Sequence, residues 1–321
     1  MDEPVEGFFK RHVRLIAFLL LIALTAYGVY AASDELSSAA AGWRNKGPAL
    51  AIALLCAFLD VALDVVLWML VGTYFGLQVR DRTGVLIFGS MYAGQLLPVH
   101  LGRALRPDAI QAMGRGTLMN AAKAEVVGFF IAAIAAAAFL AGTVAYAMTQ
   151  ELGLPSAMGA AGAVTAFVAT TVTVMFITDR ASHLAIGKLP LGKLAFLEEF
   201  QVPNYWMRRR TFGLVVLAAV GWLLHGLGLY AVVHDLDGAE NPLLWALFSG
   251  PASTCLGAGV GMPGGIGATE GFLGVALKSL TSVAGADMLL AVAAFRFNTF
   301  WVWLPFGWIA LTLVNRIRNR G

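Results

Sequence analysis

The sequence predicts an all-α polytopic membrane protein, and three observations predict it. Of 321 residues, 59% are hydrophobic and only 13% charged, whereas a water-soluble chain carries about 45–50% apolar and about 25% charged residues. Apolar stretches long enough to cross about 30 Å of hydrocarbon recur along the chain. The lysines and arginines fall in loops that obey one consistent inside–outside count. This composition excludes a soluble enzyme, a nucleic-acid-binding domain and a disordered chain. The formal net charge of +3 calls for no polyanionic partner.

Full crossings are expected at residues 13–32, 48–77, 117–148, 155–177, 211–233 and 288–314. The first follows Lys10, Arg11 and Arg14, and it exceeds the apolar core of a cleaved signal peptide, about 7–15 residues. It reads as a retained signal anchor. Two further apolar segments, 85–115 and 242–280, are interrupted by proline and glycine and read as re-entrant helical hairpins. Six crossings and two hairpins put Arg80, Arg82, Arg115, the loop 178–210 and the terminal Arg316, Arg318 and Arg320 on the cytoplasmic side, together with both chain ends. Arg44, Lys46, Lys278 and the acidic Asp235, Asp237 and Glu240 fall opposite. Counting either hairpin as a single crossing moves the central basic loop or the C-terminus to the wrong side. Within the central loop, residues 189–207 mix aromatic and basic side chains and are expected to form a short interfacial helix. Cys56 and Cys255 lie inside apolar runs, as buried small hydrophobes rather than a disulfide framework.

The two broken segments resemble each other. Both read aliphatic or Met, Pro, two residues, aliphatic, Gly, around Pro98 and Gly102 in the first and around Pro263, Gly264, Gly265 and Gly267 in the second, with the prolines 165 positions apart. The same offset carries Asp60 onto His225. The chain therefore divides, within one membrane domain, into units at 48–177 and 211–314, each a crossing, a hairpin and a long crossing. By the charge count the hairpins enter from opposite sides, which makes an inverted-topology repeat. A helix broken inside the bilayer leaves backbone groups without partners, and only protein or trapped water can satisfy them. Two such breaks facing each other make a midplane polar cavity. The alternative for the glycines is close helix packing. The GxGxxG at 259–264 follows no strand and marks no dinucleotide site.

Charges in the apolar stretches are the candidate site. Asp60 and Asp64 are one helical turn apart and share a face, so two like charges there call for a proton, a cation or a basic partner. Lys123 and Glu125 start the next crossing; Glu270 follows the second break; His225, Arg296 and Asn298 lie deep in later crossings; Arg103 and Arg106 follow the first break. Each charge near the bilayer centre costs at least about 2.5–3.5 kcal/mol. Guanidinium forks bind phosphate bidentately, so Arg103, Arg106 and Arg296 point to an anionic headgroup. Asp60, Asp64, Glu125 and Glu270 suit a cationic group or coupling protons, as does His225; the alternative for Glu270 and Arg296 is an ion pair with each other across the second unit. No nucleophile, base or metal-ligand spacing accompanies them, so no enzyme activity, cofactor or metal is expected.

The stretch QLLPVHLGRALR at 95–106, Lys123-Ala124-Glu125, GMPGGIGATEG at 261–271 and Phe295-Arg296-Phe297 resemble the flippase-like membrane domain of the lysylphosphatidylglycerol synthases and its stand-alone relatives. The resemblance covers nearly the whole chain. It implies a bacterial or archaeal inner-membrane protein that moves a lipid between leaflets, with these motif residues lining the path. His100 and Lys123-Ala124-Glu125 depart from the family pattern and bear on headgroup choice. Without the aminoacyl-transferring domain of the full synthases, the chain is not expected to make the lysyl-lipid itself. The partner implied is a membrane lipid with a phosphate-bearing headgroup; a homo-oligomer is allowed. The alternatives are a secondary transporter of a small anionic metabolite, served by the same cavity, and an intramembrane enzyme on a lipid-linked phosphate with Asp60 and His225 as acid and base.

Overall fold

The computed structural model describes residues 43, 46–95, 102–183, 199–236, 241–260, 263–280, 282 and 285–319. The expected crossing at 13–32, Pro98, His100 and most of the expected interfacial helix lie outside the described residues. Among those described, every regular element is helical: α1 (Gly47–Tyr74), α2 (Arg82–Ser90), α3 (Leu105–Ala112), α4 (Leu118–Glu151), α5 (Ser156–Ala181), α6 (Arg209–Val233), α7 (Pro242–Gly259), α8 (Ala268–Leu280), α9 (Gly285–Arg296) and α10 (Trp303–Arg318). Short 3-10 turns, Met91–Gly94 and Pro263–Gly265, follow α2 and α7, and a π turn, Phe297–Trp301, joins α9 to α10.

Five stretches are long and apolar enough to cross a membrane: α1, α4, α5, α6 and the run Gly285–Arg318 through α9 and α10. They coincide with five of the six expected crossings. Their ends follow local chemistry. Pro48 opens α1, where its missing N–H costs nothing. Thr117 caps α4 by accepting from the Asn120 N–H at 3.2 Å, and Asp81 caps α2 by accepting from the Gly84 N–H at 2.8 Å. The helices of the two broken segments are shorter. At 1.5 Å per residue, α2 and α3 reach about 13 Å each, less than half the hydrocarbon thickness. Pro251 sits inside α7 without ending it, and the second break falls beyond Gly259.

α6 is the centre of the fold, packed on α1, α4, α7 and α9. Its buried face is shared between two apolar clusters: one with α1, α2 and α4, around Trp68, Val71, Ile87 and Ile131, the other with α7, α8 and α9, around Leu229, Trp245, Leu273 and Phe295. α5 lies at the edge, packed chiefly on α4. The shorter helices reach across the molecule. α2 and its 3-10 turn pack on α10, and α7 packs on α4 as well as on its sequence neighbours. The first of these contacts depends on Gly307, where a Cβ would meet the backbone of Tyr92 and Ala93.

The structure corrects the expected interfacial helix where it describes that segment. Residues 201–208 form turns, not a helix. Pro203 removes a backbone donor and Asn204 is left-handed at φ 60°. Tyr205 and Trp206, only 2% and 4% exposed, dock into the first cluster beside Tyr74 and Phe130 instead of facing lipid.

Candidate functional site

A polar cavity of about 230 Å³ opens between α1, α6, α7, the 3-10 turn after α2 and the start of the segment leading into α3. Asp60 and Asp64 line it from α1, His225 from α6, Thr254 from α7, and Arg103 from the first broken segment. Three aromatic walls, Tyr92, Trp222 and Trp303, complete it. The indole N–H groups are spent on the protein: Trp222 donates to Ala132 O at 3.1 Å and Trp303 to Asn298 O at 2.8 Å. The two tryptophan walls therefore offer faces and edges rather than donors.

Across the cavity floor, Asp60 Oδ2 lies 3.5 Å from His225 Nδ1, and His225 Nε2 lies 2.8 Å from Thr254 Oγ1. The residues related by the 165-position offset thus meet. Gly221, one turn before His225, makes room, because a Cβ there would come 2.7 Å from Asp60 Oδ1. The imidazole is held edge-to-face by Trp222 and Phe295. Arg103 stands 5.6 Å above the Phe129 ring and, among the described residues, makes no ion pair.

The other two expected arginines are committed elsewhere. Arg106, 3% exposed, bonds Glu125 at 2.8 Å with its Nη2 and lies between the Trp68 and Phe88 rings. Trp68 Nε1 donates to the second oxygen of Glu125 at 2.7 Å. Arg296 bonds Glu270 at 2.6 Å through Nε and donates from Nη2 to Gly264 O at 2.8 Å. Glu270 in turn accepts from the Gly267 N–H at 2.7 Å. The second break frees backbone groups as Gly264 and Gly265 turn left-handed at φ 56° and 69°; Arg296 and Glu270 satisfy one carbonyl and one N–H of that break while neutralising each other. Asn298 is 5% exposed in the π turn, and its Nδ2 has no partner among the described residues, beside a small void shared with His225. Lys123 neither lines the cavity nor makes an ion pair among the described residues.

Each break also brings two glycines, eight positions apart, into backbone contact. Gly94 meets Gly102 in the first, and Gly257 meets Gly265 in the second, where a Cβ on Gly265 would come 3.0 Å from Gly257 Cα. Five contributors to the site escaped sequence reasoning: Trp68, Tyr92, Trp222, Thr254 and Trp303. Trp68 shares the face of Asp60 and Asp64 at helical spacing, and Trp222 precedes His225 by three; both were findable by period. Thr254 carries no such signal. Separately, an apolar groove of about 470 Å³ runs between α4, α5 and α7, walled by Phe139, Tyr146, Phe167 and Leu247.

Fold and site together define a polytopic α-helical membrane protein with a charged internal cavity. The chain belongs to the family described as the lysylphosphatidylglycerol synthase TM region, which it matches over residues 11–307. Among curated proteins, none matches the sequence.

Proposed function

We propose that the protein is a lipid translocase of the cytoplasmic membrane of a bacterium or archaeon. It carries a phospholipid headgroup between leaflets through the cavity, without chemical change to the lipid. The observation that carries this reading is Arg103: an arginine at a polar cavity among membrane-length helices, with no carboxylate partner among the described residues while Arg106 and Arg296 have theirs. In this reading Arg103 takes the phosphate. Asp60 and Asp64 face a cationic group on the same headgroup, and the aromatic walls favour such a cation further.

The architecture that suits the task is an inverted repeat of six crossings and two re-entrant hairpins, with both chain ends cytoplasmic. Three features support it. Each break pairs glycines at the same spacing. Each hairpin's return arm is tied to the following crossing by an Arg–Glu pair, with the charges exchanged between halves: Arg106 to Glu125, and Glu270 to Arg296. Each hairpin also packs on a helix of the other half, α2 on α10 and α7 on α4. The apolar groove between α4, α5 and α7 suits an acyl chain and favours a lipid over a soluble anion.

The test is leaflet exchange of acyl-labelled phosphatidylethanolamine in proteoliposomes, read by a membrane-impermeant quencher. Wild-type protein accelerates exchange, and Arg103→Ala abolishes the acceleration in a folded protein. Undiminished exchange by Arg103→Ala sinks the site assignment; a wild type that moves no lipid sinks the function.

A further inference from the structure

The chain Asp60, His225, Thr254 has a property that headgroup binding alone does not call for. It joins three separate elements, α1, α6 and α7, through groups that can exchange a proton. Asp60 and His225 sit at equivalent positions of the two halves, so any rocking of one half against the other passes through their contact. His225 is 9% exposed and flanked by the Trp222 and Phe295 rings. An imidazolium there is tolerable only while Asp60 stays beside it as a carboxylate. The pair therefore has two states, imidazolium with carboxylate, or neutral imidazole with carboxylate, which differ by one proton and one unit of charge.

That unit changes the formal charge of the cavity by one. Asp64 and Arg103 face the pair across the cavity and cancel formally; Cys56 on α1 and Tyr92 are neutral near pH 7. On the other packed helices, Cys255 of α7 is a thiol, Glu125 of α4 is neutralised by Arg106, and Arg296 of α9 is neutralised by Glu270. Lys123 of α4 and Asp287 of α9, which accepts from Trp43, stand outside the cavity lining. With Asp64 counted as a carboxylate, the cavity is formally neutral with the proton on and carries one negative charge with it off. Closing a low-dielectric passage over a zwitterionic headgroup is less costly in the neutral state.

We infer that Asp60, His225 and Thr254 form a proton-binding site loaded from water on one side of the membrane and emptied on the other in each cycle, so that the protein is a proton-coupled lipid transporter rather than a passive equilibrator. The inference rests on the translocase reading. Only a proton moves: an O–H bond of hydronium breaks as the N–H of His225 forms, and on release that N–H breaks as water takes the proton back into an O–H bond. Thr254 turns its hydroxyl from acceptor to donor as His225 Nε2 loses its hydrogen, which keeps that contact in both states.

Two measurements on the full chain separate the inference from the reading it rests on. In the first, vesicles of phosphatidylethanolamine and phosphatidylglycerol with a trace of acyl-labelled phosphatidylethanolamine are held under a pH gradient, with the membrane potential clamped at zero. One proton per lipid drives the label to about tenfold asymmetry between leaflets per pH unit. Asp60→Asn and His225→Gln lose the asymmetry, whatever their rates. In the second, Trp222 emission, isolated by difference from Trp222→Phe, is titrated in detergent, because a protonated imidazole quenches a neighbouring indole. A pH-dependent step is expected in wild type, and it disappears in His225→Gln. Label that moves but equalises under the gradient overturns the coupling and leaves the translocase standing. Label that never moves overturns the translocase, and with it the coupling, even if the Trp222 step survives as evidence of a proton site. An emission step absent from wild type, or unchanged in His225→Gln, overturns the proton site directly.

Discussion

The two Arg–Glu pairs look interchangeable by composition, and their surroundings make them different devices. Arg106 and Glu125 are 3% and 13% exposed at the side chain; the guanidinium lies between two aromatic rings and the carboxylate takes the Trp68 N–H as well. Among the described residues no break backbone enters this arrangement, which locks α3 to α4. Arg296 and Glu270 are 7% and 30% exposed, and each spends a hydrogen bond on the backbone of the second break, at Gly264 O and the Gly267 N–H. A charge in an apolar chain is thus not a functional label by itself. Its hydrogen bonds distinguish the two pairs, lock for the first and stitch for the second; Arg103, without an ion pair among the described residues, is the guanidinium that the proposed reading gives to the ligand.

The comparison can be broken most sharply at the lock. Arg106→Ala leaves Glu125 buried with a charge and no cation, which costs about 3–5 kcal/mol. The expected outcome is a large drop in melting temperature in detergent, or loss of folded protein, with partial recovery in the exchanged pair Arg106→Glu with Glu125→Arg. Equal stability of Arg106→Ala and wild type would remove the lock from the argument. At the stitch the loss is smaller, because Glu270 remains half-open to solvent and keeps the Gly267 N–H. Arg296→Ala is expected to cost about 1.5–3 kcal/mol, the worth of a hydrogen bond to a charged group. Its damage is local, and amide exchange at residues 264–270 should rise before that of α4.

How far these roles could be read in advance differs by element. The ends of α1, α4, α5 and α6 lie within a few residues of the expected crossings, because a long uncharged run has few other uses. The Glu270–Arg296 contact was one of the open alternatives, since both flank the second break. The Arg106–Glu125 contact was not, because nothing in the spacing tells that α3 folds back on α4; Asp108, the nearer carboxylate, meets Arg318 instead. Asp60 and His225 were matched by offset as equivalents, yet their meeting face to face depends on the packing of α1 on α6 at Gly221. At the described end of the segment expected as an interfacial helix, residues 201–208 form turns, because Pro203 and the left-handed Asn204 interrupt a composition that otherwise suits one.

Arg103 sharpens the comparison from the opposite direction. It makes no ion pair among the described residues, and its contact with the Phe129 ring is worth about 0.5–1 kcal/mol. Arg103→Ala is therefore expected to fold with a melting temperature close to wild type while losing lipid exchange. The pattern is the reverse of Arg106→Ala, which loses stability first. Should Arg103→Ala destabilise as strongly as Arg106→Ala, the guanidinium has a structural partner and the division of labour among the three arginines fails.

The smallest effect lies outside the crossings, at the N-terminus of α2. Burial opposes ionisation of Asp81, but the Gly84 N–H and Arg115 outweigh it and hold its carboxyl below the usual range. A depressed carboxyl contributes stability that is present above its unfolded pKa, about 3.9, and is lost as pH falls through the lower folded value. Asp81→Ala should thus cost about 1 kcal/mol at neutral pH, the ordinary worth of an N-cap, and the gap to wild type should narrow below about pH 4. Melting curves of the two chains from pH 7 down to pH 3 check it. Because α2 carries the turn that lines the cavity and packs on α10, the same variant should also slow lipid exchange slightly at neutral pH. A gap in stability that widens on acidification would mean that the carboxyl is held protonated, and would remove the charged cap from the account of α2.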